Sequence, residues 1–268
     1  LYGPRLDESG TAVSVQGLYD FWLQGTGGTE TQNYITYAGT QLLRSTSLSG
    51  TWTAIKTGLE SGKEPCFETF TARMIWASTS NVDVPQRWDG SAGSTSDLGA
   101  SAPNFAFHVK HKNLLFASGV AANPSRLYFS DTLDPTTWTG GSSGSIDIDP
   151  DDGDRITGIV SHKNELLVFK GPNRLSVHRI TGSSPTGSDA FARVPFVTGV
   201  GGINHNGLFR INDDLVFPSP RGIHSLAATA AFGDYVEAFL ARPILSHYQD
   251  LLNHSALNTN WGVNFQSK

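Results

Sequence analysis

Three polar turns, each feeding an apolar run, recur along this chain: His111-Lys112-Asn113-Leu114-Leu115-Phe116, His162-Lys163-Asn164-Glu165-Leu166-Leu167-Val168-Phe169 and Asn212-Asp213-Asp214-Leu215-Val216-Phe217. A few residues beyond each stands a second shared mark: Pro124-Ser125-Arg126-Leu127, Pro172-Asn173-Arg174-Leu175 and Pro220-Arg221-Gly222-Ile223, with Pro85-Gln86-Arg87-Trp88 as an earlier member. The prolines step by 39, 48 and 48 residues. A period of ~40–50 residues holding several short strands and no helix is the blade period of a β-propeller, not of a helical solenoid. One meander with a single apolar face is marginal alone. It has to bury that face on a neighbour, and radial stacking does so while leaving few open edges.

Five such units are expected, over 17–58, 66–90, 105–148, 156–197 and 203–226. The first is a weaker repeat around an Ala38-Gly39-Thr40 turn, and the second is short enough to lack a strand. Gly, Ser and Pro gather at the joints (25–30, 91–103, 140–145, 182–188), which are too short to link independent domains. The expectation is therefore an all-β fold, a β-propeller-like array of about five short antiparallel meanders with one short C-terminal helix. Residues 1–16 would form an N-terminal extended segment and residues 17–268 the propeller-like domain. The helix is placed over 243–252, where Pro243 suits a first turn and Ile244, His247, Tyr248, Leu251 and Leu252 follow at three- and four-residue steps. The alternation Trp261-Gly262-Val263-Asn264-Phe265 reads as one more strand, so the domain is expected to be incomplete at its C-terminus. An opening at Leu1 without Met is expected of a piece of a longer protein.

Charge narrows the function classes. A net charge of −5 offers no basic field for holding nucleic acid. No run nears the ~18 apolar residues of a membrane span. The lone Cys66 cannot form an internal disulfide, and between Pro65 and Phe67 it reads as a buried, inert thiol. Eight His residues show no metal-ligand spacing; His108 and His111 are three apart, and His111 and His162 hold equivalent repeat positions beside turns.

Two motifs invite an enzymatic reading. Gly140-Gly141-Ser142-Ser143-Gly144 matches Gly-x-Ser-x-Gly literally, but a nucleophile elbow needs a strand before it and a helix after it, and here another strand follows. Ser47-Leu48-Ser49-Gly50-Thr51-Trp52 and the stretch from Ser130 to Trp138 echo the Asp-box of sialidase propellers without its spacing, so Trp52 and Trp138 are expected to lock one blade to the next. A glycoside hydrolase would need two carboxylates ~5–9.5 Å apart in a pocket, and nothing in the order singles out a pair. A receptor- or glycan-binding propeller would instead present Trp22, Trp76 or Trp88 in a groove. No catalytic, cofactor-binding or metal residue is assigned, and no cofactor is expected.

The most acidic stretch, from Asp147 to Asp154, carries Asp147, Asp149, Asp151, Asp152 and Asp154. Counted from Asp147, neither the sixth place (Asp152) nor the twelfth (Gly158) suits a calcium loop. It reads as an alternating edge strand closed by an Asp-Gly turn, with a looser cation contact as the alternative.

With the repeats laid out, one succession becomes specific: Asn123-Pro124-Ser125-Arg126-Leu127-Tyr128-Phe129-Ser130-Asp131, Asp134-Pro135-Thr136-Thr137-Trp138, Ile146-Asp147-Ile148-Asp149, Asp152-Gly153-Asp154-Arg155-Ile156-Thr157-Gly158 and Leu166-Leu167-Val168-Phe169-Lys170. It resembles a pattern of bacteriophage tail nozzle, hub or stabilisation proteins, over roughly Gln16 to Leu252. The resemblance implies a non-enzymatic virion subunit, assembled in the host cytoplasm as a sixfold homo-oligomeric ring around the DNA exit channel. An adaptor ring and fibres or a needle would be its neighbours, and DNA only a transient cargo. The Pro85, Arg87, Pro124, Arg126, Pro172, Arg174 and Pro220 corners are then structural repeat marks, and the acidic turn could line the lumen, where few basic contacts let DNA slide.

Overall fold

Turn chemistry decides where this chain reverses. The computed structural model describes residues 12–24, 28–80, 82–91, 93–228 and the single positions 240, 243 and 246. Five antiparallel sheets follow one another along it. The first is β1 (Val15–Gln24), β2 (Glu30–Ala38), β3 (Gln41–Ser45) and β4 (Thr53–Lys56), and the second is β5 (Pro65–Phe70), β6 (Arg73–Ser78), β7 (Gln86–Trp88) and β8 (Ser96–Asp97). The third is β9 (Phe107–His111), β10 (Leu114–Ser118), β11 (Arg126–Phe129) and β12 (Gly144–Asp147). The fourth is β13 (Arg155–His162), β14 (Glu165–Gly171), β15 (Ser176–Thr181) and β16 (Ala192–Thr198), and the fifth is β17 (Phe209–Ile211), β18 (Asp214–Ser219) and β19 (Gly222–Ser225). In every sheet, strands adjacent in sequence are hydrogen-bonded neighbours. The fold is thus the expected all-β, propeller-like array of five meanders.

Lys112 and Asn113 have φ of 45° and 63°, and Lys163 and Asn164 have 46° and 63°. Two successive left-handed residues give a turn whose twist matches an antiparallel pair, so these two polar turns each close a two-residue hairpin, whereas at the third repeat only Asn212 is left-handed (φ 54°). Thr71 and Ala72 do the same between β5 and β6 (φ 48° and 57°) without any Asn or Gly. The second sheet corrects the expectation of a missing strand. β8 lies beyond the expected boundary at Gly90 and consists of two exposed polar residues paired to Gln86 and Arg87, so it has no apolar pattern to read.

Contacts gather into two compact units, Leu1–Leu115 with Phe129–Ser143, and Phe116–Tyr128 with Gly144–Lys268. In the first, Phe21, Ile35, Tyr37, Leu42, Trp76 and Trp88 share one core, with Trp76 and Trp88 at 0% and 1% exposure. Truncating either Trp to Ala costs about 3–5 kcal/mol. In the second, Leu167, Phe169, Val177, Leu215 and Phe217 cluster, and the Phe169 and Phe217 rings meet edge-on at 5.0 Å. A 3-10 turn, His205–Gly207, is capped by Asn204, whose side chain accepts from the Gly207 amide. The expected helix over 243–252 and the strand at Trp261–Phe265 lie outside the described residues, apart from positions 243 and 246. Among the described residues no helix is long and apolar enough to cross a membrane.

Candidate functional site

β14 is buried at every position after its first, and its sixth residue is Lys170, whose side chain has no exposure. An ammonium in that setting has to find acceptors for three N–H donors. The acidic turn supplies them. Lys170 Nζ donates to the carbonyls of Ile148 (2.6 Å) and Asp149 (2.7 Å) and to both carboxylate oxygens of Asp152 (2.8 Å each). Asp149 and Asp151 take left-handed conformations, φ 39° and 67°, which short polar side chains tolerate. Behind Lys170 the chain comes so close that a Cβ on Gly201 would sit 2.4 Å from the Lys170 carbonyl oxygen, so only glycine fits there.

The other carboxylates have separate tasks. Asp154 is buried and accepts from three consecutive amides, Asn173 (2.7 Å), Arg174 (2.8 Å) and Leu175 (3.2 Å), which fixes the connection from β14 to β15. Asp149 pairs with Arg193 Nη1 and lies 3.5 Å from His178 Nε2, which in turn meets the Ser176 hydroxyl at 2.9 Å. Asp147 takes both arms of the Arg126 guanidinium, at 2.7 and 2.9 Å. The Arg126 hydrogen bonds hold the Asp147 carboxyl below its usual range. For Asp152, burial pushes the pKa up, but the Lys170 ammonium and the Asp154 amide outweigh it and the net shift is downward. Burial lowers His178 below the ordinary imidazole value more than Asp149 raises it.

Above this network opens a cleft of about 580 Å³ lined by Asp149, Asp151, Asp152, Arg174, Ser176 and Thr198. Its carboxylates are ionised at neutral pH wherever a shift is resolved. Asp149 and Asp152 serve as acceptors for the chain's own cations and amides, which is the chemistry of a structural lock. Among the described residues no group of three or more His, Cys, Asp and Glu is placed to hold a metal ion.

The repeat corners occupy one topological place. Pro85, Pro124, Pro172 and Pro220 all stand between the second and third strands of their meanders. The Pro124 carbonyl accepts from the Ile156 amide at the start of the next meander, at 2.8 Å. Their arginines differ: Arg126 pairs with Asp147, Arg174 contributes its backbone amide to Asp154, and Arg87 lies within β7 opposite Ile75 and Ser96. What repeats is the corner, not the guanidinium.

Of the aromatic platforms, Trp76 and Trp88 are core residues, which corrects their candidacy as a sugar surface, whereas Trp22 is 49% exposed. Trp138 is buried against Phe105 (5.2 Å) and donates its indole N–H to the Pro135 carbonyl at 2.8 Å. Ser142 donates its amide to Asp131 at 3.0 Å, and β12 rather than a helix follows it. Cys66 is buried, and desolvation pushes its thiol up to about 12. Lys170, His178 and Arg193 were not singled out from sequence. The usable signal was a lone Lys closing the apolar run Leu166–Phe169 just before Gly171-Pro172, since a charge at a buried strand position requires a partner carboxylate.

No protein-family model matches the chain, and no curated protein sequence does. Among solved structures it is similar to the nidogen/laminin complex, with a TM-score of 0.47 and 12% identity over 82% of this chain and 76% of that one. A glycoside hydrolase aligns at TM-score 0.38 and 13% identity, covering 74% of this chain and 54% of that one. YCF48 from Cyanidioschyzon merolae aligns at TM-score 0.28 and 10% identity, covering 77% and 88%.

Proposed function

We propose that this chain is a non-enzymatic structural subunit of a phage virion, a tail nozzle or hub protein that forms a ring around the DNA exit channel. One observation carries the reading: the motifs that bear the resemblance are tied together by their own charges. Arg126 of the first motif holds Asp147 of the third, and Lys170 of the last holds Asp152 of the fourth. Asp154 pins the corner that follows. A sequence pattern made of such ties describes a scaffold, whereas a general acid needs a carboxyl held above its ordinary pKa. The net charge of −5 also suits a channel through which DNA passes without adhering. Negative-stain imaging and mass determination of the full-length protein test the reading. Closed rings, sixfold by the resemblance, are the expected result; clean monomers at micromolar concentration would overturn it.

A further inference from the structure

The cleft over the acidic turn lies within one compact unit, and its walls hold groups that the ties beneath it leave unspent. Arg193 takes Asp149 and Lys170 takes Asp152, so those two carboxylates are neutralised. Arg174, Asp151 and Thr198 line the cleft as exposed residues, and among the described residues none of their side chains makes a hydrogen bond or an ion pair. Arg174 gives its backbone amide, not its guanidinium, to Asp154. Ser176 adds a fourth group. Its hydroxyl lies 2.9 Å from His178 Nε2, and Asp149 lies 3.5 Å from the same nitrogen, whereas Nδ1 of this buried imidazole has no hydrogen-bond partner. A neutral imidazole holds its single proton on the nitrogen that faces acceptors. Nε2–H therefore points at Ser176 and Asp149, and the Ser176 hydroxyl, accepting from it, keeps its own proton to donate into the cleft.

We infer that this cleft binds a neutral polyhydroxylated ligand, a mono- or disaccharide. The inference stands apart from the ring-subunit reading and requires no catalysis. Charge decides the class. Asp149, Asp151 and Asp152 are matched around the cleft by Lys170, Arg174 and Arg193, so the site draws neither a net anion nor a net cation. The unspent groups are donors at Arg174 and Ser176, an acceptor at Asp151 and a hydroxyl capable of both at Thr198. A peptide offers its donors and acceptors singly along a backbone and is read by pairing with a strand edge. A sugar offers adjacent hydroxyls, each donating and accepting, and a vicinal pair suits the two oxygens of a carboxylate or the fork of a guanidinium. Pro150 and Leu175 supply the apolar backing for the C–H face of such a ring. At about 580 Å³ the cleft lies within the ~300–1,000 Å³ range of small-molecule sites.

The test titrates the nitrogen-15-labelled full chain with methyl α-glucoside, methyl β-galactoside, maltose and lactose to about 50 mM, where a Kd of about 1 mM saturates. Sodium acetate, ethylammonium chloride and N-acetylalanine amide are titrated over the same range. The expected result is saturable movement of the Asp151, Arg174, Ser176 and Thr198 amide signals with at least one of the sugars. Arg174→Gln and Asp151→Asn should each weaken that binding about 10-fold or more, the loss of one charged hydrogen bond, at an unchanged melting midpoint because both residues are exposed. No saturable movement with any of the sugars would overturn the inference. Tighter saturation of the same amides by acetate, ethylammonium or the peptide amide would overturn it too, by assigning the cleft to a charged or peptide ligand. Sugar binding kept at full strength in both variants would place the sugar elsewhere on the chain and refute this site.

Discussion

Lys170→Met removes the ammonium and keeps most of the stem's volume. Three acceptors then lose their donor: the carbonyls of Ile148 and Asp149 and the Asp152 carboxylate. A buried carbonyl left unsatisfied costs about 1–3 kcal/mol. Asp152 is 16% exposed and recovers part of its hydration, so its share is moderate. The sum falls at about 3–5 kcal/mol, the range found when one partner of a buried pair is removed. Because ~1 kcal/mol shifts the melting midpoint of a domain of this size by ~2–4 °C, the midpoint should fall by roughly 6–20 °C. Arg126→Ala is the control: its pair with Asp147 is 36% and 44% exposed, and exposed pairs contribute about 1 kcal/mol or less. The assay is thermal and urea unfolding followed by tryptophan fluorescence and circular dichroism. Asp152→Asn should destabilise by a similar amount, and the Lys170→Met/Asp152→Asn double variant by clearly less than the sum, because the two changes remove one interaction. A Lys170→Met midpoint within ~2 °C of the natural chain, or strict additivity in the double variant, would refute the claim that the acidic turn is organised by this buried cation.

Asp154→Ala deprives the Asn173, Arg174 and Leu175 amides of their common acceptor and should cost about 2–4 kcal/mol in urea unfolding; a neutral effect would show that the corner after β14 holds itself. His111 and His224 are buried, and desolvation lowers each to about 4 in the folded chain, against ~6.5 unfolded. Between those values the unfolded chain binds the extra protons, so their contribution is complete above pH ~6.5 and is lost as pH falls toward 4, at most ~3 kcal/mol each. Urea midpoints at pH 7.5, 6 and 4.5 should fall in that order, and a flat series would contradict the assignment. Cys66, with its thiol pushed up to about 12 and buried in the core, should resist a disulfide reagent at pH 8 until urea unfolds the chain; rapid labelling of native protein would refute its burial.

Local chemistry was readable wherever it is local. The Lys112-Asn113 and Lys163-Asn164 turns, the apolar runs after them and the proline corners each declare themselves within a few residues, because turn conformation and strand alternation depend on near neighbours. That sufficed for the meanders and for four of the five expected spans without correction. Trp76 and Trp88 could not be told from binding aromatics by sequence, since an indole suits a core and a sugar surface equally and only the packing around it separates them. β8 escaped because two hydrogen-bonded polar residues leave no periodicity.

The acidic stretch shows the division most sharply. Its composition established that five carboxylates crowd eight residues and that the spacing fails a calcium loop. Which cation they meet was settled by folding: Lys170 lies 18 residues beyond Asp152 and Arg193 lies 44 beyond Asp149, and each is carried to its partner by antiparallel strand pairing. Coulomb and hydrogen-bond energies act over a few ångströms in space, whereas the sequence records order along the chain; the partners of a charge therefore become definite only when the strands have found their register.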